Sequence, residues 1–101
     1  MPSQTLPEEL HEYRRQIDAL DNQIVALLAQ RFEIVRAVGQ LKARENIPVV
    51  QGARVEEVKD RVAEMASRQN LDPQMVRDIY QRMIDHAHDL EDNFKSVGKQ
   101  A

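Results

Sequence analysis

The sequence predicts an all-α fold with three helices per chain, in the order long, short, medium. Apolar residues recur at three- and four-residue steps along most of the chain. Glycine and proline number only 3 and 4, too few for the many turns of a barrel or sandwich. Pro7, Pro48 and Pro73 fall where the periodic stretches begin or break. The 101 residues allow one domain, 1–101, with residues 1–7 and 96–101 expected to fray.

The first helix opens after Pro7. Glu8 and Glu9 suit the positive end of its dipole. Leu10, Tyr13, Ile17, Leu20, Ile24, Leu27 and Leu28 continue into Ile34, Val35, Val38 and Leu41, with Gly39 the one interruption before Glu45. At 1.5 Å per residue this helix is on the order of 50 Å long. A compact chain of this size has a radius of gyration of about 13 Å, so the apolar stripe outruns what two shorter helices cover. An intertwined helical homodimer, in which the long helices cover each other, solves this.

Asn46-Ile47-Pro48 ends the first helix, because proline cannot continue it and disfavours the residue before it. The stretch through Gly52 reads as a loop. Arg54 to Arg68 reads as the short helix, with Val55, Val58, Val62, Met65 and Ala66 on one face. Asp72 caps the third helix and Pro73 takes its first position. Val76, Ile79, Tyr80, Met83, Ile84, Ala87, Leu90 and Phe94 carry its apolar face, and Val97-Gly98 and the polar end are expected to fray.

Composition excludes several classes. With 14 basic and 17 acidic residues, interspersed, the chain lacks the basic surface of a nucleic-acid binder. No cysteine means no disulfide scaffold, thiolate metal site or thiol nucleophile. There is no glycine-rich phosphate loop, and no apolar run long enough to span a membrane. The start, MPSQTLPEELHEY, is not expected to be a signal peptide, and a cytoplasmic location is expected. His86, His88, Asp89 and Asp92 cluster near the third helix's end, but a solvated helix end explains them better than a metal site, and no metal is expected.

Charged residues that break the apolar pattern are more informative. Arg14, Arg31 and Lys42 all fall inside the stripe of the first helix, whereas Arg15, Arg36 and Arg44 lie on the opposite side. Arg54 stands in the first turn of the second helix, where a cation opposes the dipole. Glu91 lies four after Ala87, on the apolar face of the third helix. Long basic side chains often lay their stems on apolar surface, and ion pairs such as Arg14 with Asp18 or Asp21 also account for single cases. Several like charges in one stripe are costly unless an anion neutralises them. If no protein carboxylate does so, a bound dianion would. Arg14 and Arg31 are roughly 25 Å apart along one helix, so only a second chain brings them together. Arginine grips a carboxylate through paired hydrogen bonds, so this set suits a small dicarboxylate.

These residues resemble the all-helical (AroQ-class) chorismate mutases and the related isochorismate pyruvate lyase. The resemblance runs from about Tyr13 to Phe94. It rests on the R-x-x-I-D-x-L-D run from Arg14 to Asp21, on IVALLAQRFEIVRAVGQLK over residues 24 to 42, on the I-P-V-V-x-x-x-R loop from Ile47 to Arg54, and on Leu71-Asp72-Pro73. It implies an intertwined dimer that rearranges chorismate to prephenate in aromatic amino-acid biosynthesis without a cofactor. It assigns Arg14, from the neighbouring chain, Arg31 and Arg54 to the substrate carboxylates. It assigns Lys42 to the ether oxygen whose bond breaks, where negative charge develops. Gln51 and Gly52 would close a loop over the site.

The sequence departs from that family at three positions. Val55 stands where the mutases often have a glutamate for the ring hydroxyl, as in the lyase-like branch. Ala87 stands where a serine meets a carboxylate. Glu91 replaces a glutamine that donates to the ether oxygen, and only a protonated carboxyl can donate. Isochorismate pyruvate elimination and rearrangement of 4-amino-4-deoxychorismate are the alternatives on the same fold. A helical dimeric regulator or scaffold is the non-enzymatic one.

Overall fold

A computed structural model describes the backbone of residues 5–100 and the side chains of residues 5–96. Its elements are α1 (Glu8–Glu45), α2 (Gly52–Arg68) and α3 (Pro73–Gln100), and there is no strand among the described residues. None of the described helices is long and apolar enough to cross a membrane. The chain divides into two units, residues 1–33 and 34–101.

In the first unit α1 begins at Glu8, as expected, and residues 5–7 precede it without helical structure. Residues 1–4, also expected to fray, lie outside the described residues. Arg15 pairs with Glu12 at 2.7 Å and with Glu8 at 3.5 Å on the solvent side. No described residue of this unit is fully buried. Tyr13, Ile17, Leu20, Ile24 and Leu27, spaced by four, three, four and three, are each more than half exposed. The stripe is where the periodicity put it, and nothing in its own unit covers it.

The second unit holds the core. Val58 and Val62 of α2 meet Ile84 of α3, and Val55, Val76 and Tyr80 pack around them. The rim is polar: Lys59 donates to Gln81 at 2.7 Å, and Arg77 pairs with Asp60 at 2.8 Å and Glu56 at 3.5 Å.

Both connections use one device. Asn46 and Asn70 take left-handed φ values of 61° and 59°. The next amide then folds back on the helix: Ile47 N–H donates to the Lys42 carbonyl at 2.9 Å, and Leu71 N–H to the Ala66 carbonyl at 2.8 Å. Asparagine tolerates this conformation better than other residues with a side chain, so both helices close in a Schellman turn. Asp72 then caps α3 as expected, its carboxylate accepting from the Gln74 amide at 2.9 Å.

One boundary differs from expectation. α2 starts at Gly52, not Arg54, because the Gln51 carbonyl already accepts from the Arg54 and Val55 amides at 3.0 and 3.1 Å. Gly52 has no positive φ, so it serves as a helical residue and not as a loop hinge. At the other end of the unit, α3 runs to Gln100.

Gly39 sets the approach of α1 to α3 within the second unit. A Cβ there would stand 2.9 Å from Phe94 Cδ2, 3.0 Å from Glu91 Cα and 3.1 Å from Glu91 Cγ. Glycine in a helix interior is worse than alanine by roughly 1 kcal/mol, so only this crowding explains it. Gly39→Ala is therefore expected to lower stability by about 1–2 kcal/mol despite its better propensity, because overpacking moves α3 backbone. Thermal unfolding checks this; an unchanged or raised midpoint would show that α3 gives way freely.

Candidate active site

Lys42 is in the last turn of α1, where a cation suits the helix dipole. Its side chain is only 16% exposed, and Glu91, on α3, is 5% exposed. The ammonium lies 2.8 Å from Glu91 Oε1 and donates to the Val49 carbonyl at 2.8 Å. Glu91 Oε1 is buried and has no well-directed donor among the described residues, although the ammonium is close. The contact is therefore an electrostatic pairing, while the directed hydrogen bond of Lys42 goes to Val49. Ala87 is buried one turn before Glu91.

This arrangement corrects the charge argument drawn from the stripe. The carboxylate that neutralises Lys42 belongs to the protein, so charge balance at Lys42 does not by itself require a bound dianion. It also bears on Glu91. Its expected role is as a protonated donor, yet in the ligand-free chain it stands as the ion-pair partner of Lys42. The two residues are 49 positions apart in sequence, which is why helical spacing put each on an apolar face without joining them.

The remaining residues fall into three groups. Arg54 is exposed and its guanidinium donates to Glu57 at 2.7 Å, so a carboxylate in the next turn offsets its unfavourable place at the start of α2. Val55 is half-buried against the core cluster, and Gln51 is the N-cap of α2 without a side-chain capping bond. Arg14, exposed, and Arg31, half-buried, belong to the unit of residues 1–33.

Sequence reasoning missed three contributors. The Val49 carbonyl carries no sequence signal at all. Gly39 was legible as the lone glycine inside a long apolar period. Lys95, four residues after Glu91 and so on its face of α3, donates to the Ile47 carbonyl. An apolar hollow of about 140 Å³ lies elsewhere, at the α2–α3 turn, lined by Val62, Met65, Ala66, Gln69, Leu71, Val76 and Tyr80. It has no charged wall and cannot hold a dianion. Among the described residues no three histidines or carboxylates converge as a metal site.

The chemistry of the second unit is thus a desolvated ammonium held by a carboxylate and a carbonyl. Such a group can stabilise negative charge that develops on an oxygen brought to it. There is no adjacent hydroxyl or thiol nucleophile in this set.

Comparison with known proteins gives a consistent result. The family described as chorismate mutase type II matches residues 13–92. A chorismate mutase of Methanocaldococcus jannaschii is 30% identical over 87 residues, covering 86% of this chain and 88% of its own. A 4-amino-4-deoxychorismate mutase of Streptomyces venezuelae is 31% identical over 88 residues, covering 87% and 85%. A bifunctional chorismate mutase/prephenate dehydratase of Aquifex aeolicus is 33% identical over 55 residues, 54% of this chain and 15% of its own.

Proposed function

The chain belongs to the chorismate mutase type II family, and on that premise we propose that it is an isomerase rearranging chorismate to prephenate. The observation that carries the reading is the half-buried Lys42, held by Glu91 and Val49, at the position the resemblance assigns to the breaking ether bond. An ammonium has three donors. One goes to Val49, and Glu91 takes no directed hydrogen bond, so donor capacity remains for a substrate oxygen. The rearrangement is intramolecular, so the protein needs to hold a compact conformer and stabilise the charge that grows on the ether oxygen. Arg14 of a second chain, Arg31 and Arg54 supply the cations for the two carboxylates. Prephenate leads on to aromatic amino acids, which agrees with the Aquifex aeolicus relative, whose name joins a mutase to a prephenate dehydratase.

The second reading is rearrangement of the 4-amino analogue. Val55 favours it: this residue packs on the core and offers no polar group to a ring hydroxyl. The Streptomyces venezuelae relative bears that activity in its name.

We also propose that the active form is a homodimer. Its support is the exposed row from Tyr13 to Leu27, a contiguous apolar strip of the kind that single soluble chains rarely leave uncovered.

Purified protein is expected to convert chorismate to prephenate, and Lys42→Ala to lower kcat by at least about 10²–10³-fold, the usual loss when one such donor is removed. Absence of prephenate, or a variant within tenfold of wild type, would refute the assignment; kcat/KM on chorismate, its 4-amino analogue and isochorismate ranks the substrates.

The pH profile tests Glu91. The protonated fraction of a carboxyl falls as pH rises, so a reaction that needs a carboxyl at residue 91 to donate slows toward alkaline pH. Glu91→Gln keeps the donor at every pH, and its profile is expected to lose that alkaline fall. Identical profiles for the two proteins would remove Glu91 from the reaction.

Sedimentation equilibrium is expected to give twice the 11.7 kDa chain mass. Leu20→Glu combined with Ile24→Glu is expected to give an inactive monomer. Full activity from a wild-type monomer would overturn the dimer.

A further inference from the structure

We propose that Lys95 is a positioning residue for the reaction, acting through the Ile47–Val49 segment on the ammonium of Lys42. The inference rests on the function proposed above. Two lysines from different helices hold this segment by its carbonyls. Lys95 of α3 donates to Ile47, and Lys42 of α1 donates to Val49 at 2.8 Å. The Ile47 amide is fixed as well, on the Lys42 carbonyl at 2.9 Å.

Between the two carbonyls stands Pro48, whose ring locks one backbone dihedral and removes an amide proton. Few soft torsions remain, so a shift of the Ile47 carbonyl passes to that of Val49. Val49 is itself buried at 7% exposure, which pins the other end. The direction of the Val49 carbonyl decides how the Lys42 ammonium is rotated, since that is its directed hydrogen bond. Rotation in turn decides where the remaining N–H points. Lys95 touches none of the groups assigned to substrate, and its half-buried ammonium has no other evident reason to seek a loop carbonyl. A hydrogen bond from a charged donor is about twice as strong as a neutral one, enough to hold a short segment.

The test compares full-length wild type, Lys95→Met and Lys95→Arg in steady-state turnover of chorismate, beside thermal unfolding and amide hydrogen exchange. Lys95→Met is expected to lower kcat about five- to tenfold with KM changed less than about twofold, the pattern of misplaced catalytic geometry. Exchange at the Ile47 amide, which donates to the Lys42 carbonyl, is expected to quicken in Lys95→Met, and Lys95→Arg to restore kcat to within about twofold of wild type. A kcat for Lys95→Met equal to wild type, a loss confined to KM, unchanged exchange, or a folded Lys95→Arg with no recovery would each overturn the proposal. Should Lys95→Met fail to fold, Lys95→Ala, which also removes the donor, carries the same comparison. A wild type that turns over no chorismate refutes the proposed function instead, and so separates the two failures.

Discussion

The pairing of Lys42 with Glu91 is the constraint around which the second unit is arranged. Two charged groups are withdrawn from water there, and removing one partner of such a pair typically costs about 3–5 kcal/mol. That makes their relative placement demanding. Gly39 allows α3 to come close enough for the carboxylate to reach, and Asn46 turns the chain so that the Val49 carbonyl returns to the same ammonium. Glycine, asparagine and glutamate are thus three sequence choices that serve one cation.

The pair also imposes a tension on the chemistry. A carboxylate makes a buried lysine tolerable in the empty site, but the same carboxylate repels a dianion. A neutral amide at that position would avoid the repulsion and leave the lysine less well compensated. With Glu91 in place, binding of a dianion must be driven by other cations. Arg54 does not offset the pair in the ligand-free chain, because its guanidinium is already engaged by Glu57. The proposed mechanism therefore asks arginine and glutamate side chains to exchange partners when substrate arrives. Its proton requirement follows from the identity of residue 91 alone.

The three helices, their order and the core faces of α2 and α3 were legible because a 3.6-residue period survives in sequence. Asp72-Pro73 was legible for the same reason: capping chemistry is local. The start of α2 was not, because a glycine next to a proline-containing stretch looks like a hinge, and only the Gln51 carbonyl accepting two amides shows otherwise. At the site, periodicity placed Lys42 and Glu91 on buried faces but could not pair them, since pairing depends on how α1 meets α3. Gly39 held that information in the sequence, and Lys95 held part of it through its spacing from Glu91. The Val49 carbonyl is backbone, and backbone chemistry is set by the turn at Asn46 and not by the identity of Val49.

The unit of residues 1–33 poses a different problem. Its helix has no fully buried residue, so little within the unit offsets the entropy of ordering it. Its propensity is good and Arg15 adds local ion pairs, but exposed pairs of that kind are worth only about 0–1 kcal/mol. A row of five large apolar side chains each more than half exposed is unfavourable unless something covers it. Apolar burial is worth about 25 cal/mol per Å², so covering the row supplies the stabilisation the unit lacks. On the dimer proposal the covering surface is the same helix of a second chain, and that helix carries Arg14. Ordering of the first unit, association and the completion of the cation set then become one event. A substitution in the apolar row would act on catalysis without touching any residue that meets substrate.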